Sequence, residues 1–565
     1  MRSLVQALQE HELIVLRVMG EWYELDLTGA DKMQCVRELA EVLSRLDMVQ
    51  EMAFLSPEEA AALQALVAAG GRMPVGTFER MYGEVRQMGP GRLEREEPWL
   101  EPVSAAEALW YRGFLYRGFD ETPEGLIEFY FVPDELLAQF PSVKTESVRP
   151  VAMSAAVSSL MPVAPPDVLV VQTAVSDAVD DLTTILALAQ RTALQPDRLD
   201  GPRSLLLDPH PDRRSLLMTL AYEMGLLRKT AETMRPTRVA VDWLKQNREA
   251  QLRALADAWS SSAWNDLCHT PDLHCEGEGW QNDPILARTA LLDVLPRRDD
   301  WFLLADLVAY MREHDPDFQR PDGNYDTWYI RDVTQDEYVR GFENWERVEG
   351  RLIRFLITGP LTWLGMVETA VSPELPDTLF RLSPVGLRWL TNQPVPTDEV
   401  RVPLVVRPDA TLVVPHNADR YVRFQVARIS EAEPVVRGEP FVYRLTPRSL
   451  QAAQEQGIRA DRILQFLAEA SGRPVPVSVR RGITRWAENG MEARLETAVI
   501  LRVRQAGILQ TLRTNPKTRH FITEVLGDMA AVVRREDWQA LQRAVAELGL
   551  LLDCDVQASE EKGEL

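Results

Sequence analysis

One passage is written twice in this chain, and it constrains local structure more tightly than anything else in the sequence. Phe380-Arg381-Leu382-Ser383-Pro384-Val385-Gly386-Leu387 and Tyr443-Arg444-Leu445-Thr446-Pro447-Arg448-Ser449-Leu450 each describe a strand running into a capped helix. Ser383 or Thr446 is placed to accept from an orphan amide at the helix start, and Pro384 or Pro447 takes the first helical position, where no amide is needed. Ser56-Pro57-Glu58-Glu59 is a start of the same kind, with Glu59 spaced to complete a capping box. It predicts a helix to about residue 69, stopped by Gly70-Gly71.

The larger order repeats as well. Short helices at 77–82 and 104–112 precede two β-rich runs, 114–116 and 126–132, separated by the turn-rich GFDETPEG. Residues 180–191 and 214–225 read as amphipathic helices. Further on, helices at 301–312 and 347–358 precede LGMVETA, a turn and LFRLSPVGL. Helices followed by a hairpin are the order of a winged helix. The fold class expected is therefore α+β, with tandem winged-helix-like units followed by a mixed α/β domain.

Proline, serine and small residues mark the divisions. An N-terminal helical region plus a winged-helix-like unit occupies 1–142 and a linker 143–175. A helical, winged-helix-like unit follows at 176–285, another at 286–395, the mixed α/β domain at 400–553 and an acidic tail at 554–565. A chain of 565 residues, 45% of them hydrophobic, can bury several cores. The longest uncharged stretch, 150–166, is interrupted by Ser158, Ser159, Pro162 and Pro165, so no transmembrane helix is expected. Four cysteines are too few to staple the chain, and the N-terminus lacks an apolar signal core; both point to a reducing, cytoplasmic compartment.

Charge is uneven. The chain carries a net charge of -23, yet residues 401–553 hold 23 Lys/Arg against 17 Asp/Glu, so the remainder sums to -29. That balance excludes a protein coating nucleic acid over its whole surface and leaves room for a local basic site. Within 473–519 ten basic residues face Glu488, Glu492 and Glu496. Arg480, Arg481, Arg485, Arg502, Arg504, Arg513, Lys517 and Arg519 are the candidate DNA-binding residues, because guanidiniums hold phosphate oxygens in pairs and release counterions. Arg502 and Arg504 share a face if 499–503 is a strand. The competing reading is a solvated surface whose cations pair with the nearby glutamates.

Residues 403–471 also carry a resemblance. Pro403, Leu404, Val406, Pro408, Asp409 and Thr411 open it in two short strands, and Tyr443, Leu445, Thr446, Ser449, Leu450 and Gly457 continue it. Asp461, Ile463, Phe466, Leu467 and Ser471 close it on a second helix. This series resembles the N-terminal domain of XPB-type DNA repair helicases, a segment also present in bacterial helicase-associated proteins, and spans about 150 residues of this chain. Arg235-Pro236-Thr237, Trp264-Asn265-Asp266-Leu267 and Gly359-Pro360-Leu361-Thr362-Trp363-Leu364-Gly365 are similar to the same helicase-associated proteins. The resemblance implies an accessory role in DNA repair or transcription, with DNA as partner and a helicase or nuclease acting in trans.

The helicase motor is not in this sequence. A phosphate-binding loop of the form G-x-x-x-x-G-K-[ST] needs a Gly-Lys dipeptide, and the chain has none. Asp134-Glu135-Leu136 and Asp336-Glu337-Tyr338 lack the partner that would hold metal and water. No Gly-x-Ser-x-Gly elbow occurs, and Gly277-Glu278-Gly279 has an acid where pyrophosphate would lie. The chain is therefore not expected to be an enzyme or to need a cofactor. Cys268, His269, His274 and Cys275 are the one metal-like cluster, but the gap Thr270-Pro271-Asp272-Leu273 is short for a zinc tetrahedron, and a loop with buried cysteines fits better. The expected function is a non-catalytic, helicase-associated DNA-binding protein. The alternatives are an adaptor that docks a separate helicase or nuclease through its acidic first 400 residues and, remotely, a zinc-dependent enzyme.

Overall fold

Caps and apolar spacing translate directly into elements in the computed structural model, which describes all residues except 1–2, 123–124, 141–159, 166–169, 173–176, 192–204, 231–232, 278–279, 281, 376, 491, 493–497 and 555–565. The fold is α+β, with helices around small antiparallel sheets. Two compact units divide the chain, 1–479 and 480–565. No helix among the described residues is long and apolar enough to cross a membrane.

In the first unit, Ser56 accepts from the Glu59 amide while the Glu59 carboxylate accepts from the Ser56 amide, so the helix Pro57–Ala68 starts in a complete capping box. Gly70 and Gly71, at φ of 81° and 86°, end it by adopting a backbone that side chains disfavour. The strand Arg72–Pro74, the helices Val75–Tyr82 and Ala105–Tyr111, and the hairpin Tyr116–Thr122/Gly125–Phe131 follow. The last strand is central, pairing with the other two. Leu63, Leu66, Phe78, Leu109 and Tyr130 meet in a common core with the helices Leu4–Glu10, Leu13–Trp22 and Lys32–Leu43. The GFDETPEG segment departs from expectation. It stays paired as far as Thr122 opposite Gly125, because polar residues suit the solvent side of a hairpin and Arg117 pairs with Glu128 across it.

A related order, interrupted by the strands Ile330–Asp332 and Glu337–Tyr338, returns in 284–382: helix Pro284–Val294, strand Phe302–Leu303, helix Leu304–His314, helical turns from Glu346 to Leu361, and the hairpin Val367–Val371/Leu379–Leu382. Again the last strand is central, pairing with Phe302–Leu303 and with Val367–Val371. The helix expected from residue 301 starts later. Phe302 is buried beside Phe380, and the Leu304 amide donates to Thr378 O at 2.9 Å, so the sheet claims the first residues. Part of the expected linker is likewise sheet: Val170–Gln172 adds to Val367–Val371, and Val163 bridges Trp301. The rest of that linker lies mostly outside the described residues. Between the two repeats, the helices Asp177–Arg191 and Pro211–Glu223 precede a two-stranded hairpin, Leu227–Thr230/Thr233–Pro236.

Residues 404–471 form a four-stranded sheet in the order Val405–Val406, Thr411–Val414, Phe441–Arg444, Glu431–Ala432, with the helices Arg420–Ile429, Pro447–Glu455 and Ala460–Ser471. Thr446 caps through the Ser449 amide, and Gly457 turns out at φ 80°. This segment is packed onto earlier helices of its unit through buried arginines. Arg423 donates to the Asp180 carbonyl and lies 3.9 Å from the Phe441 ring centroid. Arg420 pairs with Glu399 and donates to Gln251 at 3.0 Å. The segment expected as one domain at 400–553 is accordingly divided after Val479.

Candidate nucleic-acid interface

The second unit is small, and its smallness decides where its charges go. The strands Val499–Arg502, Ala530–Val533 and Ile522–Val525 form an antiparallel sheet with Ala530–Val533 in the middle. The helices Ala506–Thr514 and Trp538–Glu547 supply Leu509, Leu512, Leu541 and Val545, which close a core with Leu501, Ala531 and Val533. Alternation along the first strand buries Leu501 and leaves Ile500 and Arg502 exposed. Arg504 follows two residues on and is also exposed. A core of this size has no room for arginine, so guanidiniums point to water.

Every sequence-selected cation in this unit is exposed. Arg480, Arg481 and Arg485 sit on the helix Val477–Asn489, with Arg481 and Arg485 one turn apart; Arg513 ends the helix Ala506–Thr514, and Lys517 and Arg519 follow it. Two of the eight are neutralised locally. Arg485 pairs with Glu492, and the hydrogen bond holds the Glu492 carboxyl below its usual range. Lys517 Nζ lies 2.7 Å from Glu547 Oε2 and lowers that carboxyl in the same way. Exposed pairs of this kind contribute little to stability. Arg480, Arg481, Arg502, Arg504, Arg513 and Arg519 make no ion pair among the described residues. Arg494 and Glu496 lie outside the described residues.

Arg502 and Arg504 come together with a residue the sequence reading did not select. They line a groove of about 770 Å³ with Arg535, Trp538, Leu541 and Leu552. The Arg534-Arg535 dipeptide was the available signal for this third cation. Trp538 is half-buried and forms part of the groove.

The cysteines of the Cys/His cluster are not the buried thiols expected: Cys268 is exposed and Cys275 half-buried, because both lie at the surface end of the turn and strand that carry them. Cys268 and Cys275 are joined as a disulfide, with Cα atoms 5.4 Å apart, which occupies both thiols. The tight turn Leu267–His269 and the strand Leu273–Cys275, held by Ile330–Asp332, bring the two cysteines face to face. His269 stacks on Trp264 with ring centroids 4.3 Å apart, its Nδ1 2.9 Å from Asp212 Oδ1. His274, opposite in strand phase to Cys275, is exposed. No group of three metal-ligating side chains occurs among the described residues.

With this geometry in place, the comparisons with known proteins divide plainly. Residues 404–526 match the family model of the helicase conserved C-terminal domain. No curated protein matches the chain. The matched segment runs from the four-stranded sheet of the first unit into the second, and it includes all eight candidate cations. This part of the chain is similar to a domain of helicases and is helicase-related on that ground.

Proposed function

We propose that this protein is a non-catalytic, helicase-associated DNA-binding protein, an accessory factor in DNA repair or transcription, with a motor supplied by another chain. In this reading residues 400–553 are the counterpart of the XPB N-terminal domain. The helices followed by hairpins within 1–142, 176–285 and 286–395 are read as winged-helix-like units. The observation that carries the reading is the set of exposed guanidiniums without ion pairs among the described residues, inside the helicase-related segment. Phosphates would neutralise them and release counterions, so binding must weaken with salt.

The test is a salt titration of the full chain on labelled duplex, single-stranded and forked DNA. The expected log–log slope has a magnitude of about 0.9 per neutralised phosphate on duplex. Replacing Arg480→Glu and Arg481→Glu together should weaken binding and flatten the slope. No binding near 50 mM salt, roughly where such contacts are strongest in practice, sinks the DNA reading. The adaptor reading then leads, supported by the net charge of -29 outside 401–553, which suits a basic protein partner.

A further inference from the structure

The groove in the second unit has a chemistry that general phosphate attraction does not need. Its floor is the edge of the small core, at Leu541 and Leu552, and Leu551 stands at its border 91% exposed. Trp538 presents a half-buried indole to the same space. Around it stand three exposed guanidiniums, Arg502, Arg504 and Arg535, with no ion pair among the described residues; among those residues Asp553 is the one acid lining the groove. A groove of about 770 Å³ falls within the range of sites that enclose flat organic ligands.

Apolar floor, aromatic wall and cationic rim select a ligand with flat apolar faces strung on an anionic chain. Duplex DNA does not meet the description, since its base faces are stacked away and only phosphates and groove edges are presented. Single-stranded DNA does, because an unpaired base lays its face on an aromatic ring while neighbouring phosphates meet arginines. We propose that this groove is a single-strand site, in which an unstacked base lies against Trp538 while Arg502, Arg504 and Arg535 hold the flanking phosphates. The proposal rests on the DNA-binding reading above and names the form of DNA this unit prefers.

The experiment is fluorescence anisotropy on the full chain with three probes of equal length: an oligo-dT strand, an abasic deoxyribose-phosphate strand and a duplex. The expected order is oligo-dT tightest. Trp538→Ala should weaken oligo-dT binding by about 5- to 100-fold, the usual worth of one stacked base, and leave the abasic strand unchanged. Trp538→Phe should restore most of the loss, and thermal melts of both variants, with the unchanged abasic-strand affinity, separate stacking from folding. Arg502→Glu with Arg504→Glu should weaken all single strands. Equal affinity for oligo-dT and the abasic strand overturns the base site while leaving phosphate binding intact. Oligo-dT binding unaltered by Trp538→Ala does the same. No binding to any probe overturns this proposal together with the DNA reading. An acidic, apolar peptide that binds the groove while no nucleic acid does would assign it to a protein partner instead.

Discussion

His11 lies between Trp110 and Tyr116, with ring centroids 4.5 and 5.2 Å away, and burial, helped by Lys32, pushes its pKa down to about 3. An unfolded histidine takes up a proton near pH 6.5, whereas this one stays neutral when folded, so between those values the unfolded chain binds more protons. The stabilisation is complete above pH 6.5 and declines by about 1.4 kcal/mol per unit as pH falls below it. Thermal melts between pH 5 and 7 should show that slope, and His11→Gln should flatten it. Arg288 makes a second point about single residues. It is fully buried, pairs with Asp266, and donates to the Trp259 and Ser262 carbonyls at 2.6 Å each. Arg288→Met strands a buried carboxylate, and urea denaturation should record a loss of about 3–5 kcal/mol. Neither property is written locally: Arg288 looks like any surface arginine on an amphipathic helix, and its partners lie more than twenty residues away. The disulfide between Cys268 and Cys275 joins residues only seven apart, yet spacing alone left a reduced loop and a metal loop both open.

At the scale of elements, the strand-to-helix passage at 380–387 shows how a local signal is tightened by a neighbour. Ser383 accepts from the Gly386 amide at 2.9 Å, as its capping position predicts, and its own amide donates to Met366 O at 2.9 Å. The helix Pro384–Leu390 is thereby drawn so close to Met366 that a Cβ on Gly386 would collide with the Met366 carbonyl. Gly457 has open space around it and is constrained only by its φ of 80°. Gly386→Ala should therefore cost about 1–3 kcal/mol through backbone displacement, and Gly457→Ala about 1 kcal/mol through the left-handed backbone. Denaturant midpoints of the two variants compare them directly; equal losses would mean that the close approach does not matter. The caps at Ser56, Ser383 and Thr446 were legible because a cap is made by residues three apart. The first turn expected at 301 was not, because Phe302 belongs to a sheet whose partner strand lies almost eighty residues later.

At the scale of the molecule, the first 140 residues are joined to the middle of their unit at a narrow place. Gly76 and Gly323 approach backbone to backbone, leaving no room for a Cβ on either. Asp317 ties the joint, accepting from Thr77 Oγ1 at 2.7 Å and Tyr325 Oη at 2.8 Å while it pairs with Arg80. Asp317→Ala removes three partners at once. It should let the N-terminal part melt separately, adding one calorimetric transition to those of the unaltered chain and giving faster release of that part by limited proteolysis. What the sequence alone determined is local: the caps at Ser56, Ser383 and Thr446, the absence of a Gly-Lys dipeptide, and the basic balance of 401–553. Caps, alternation and composition act over a few residues, so they survive without knowledge of the fold. Tertiary structure alone decided which arginines are buried against carboxylates, which cysteines are joined, where the chain divides after Val479, and that Arg502, Arg504 and Arg535 share one groove with Trp538. Those outcomes depend on burial and on distances between residues far apart in the chain, and burial is set only when the whole core has closed.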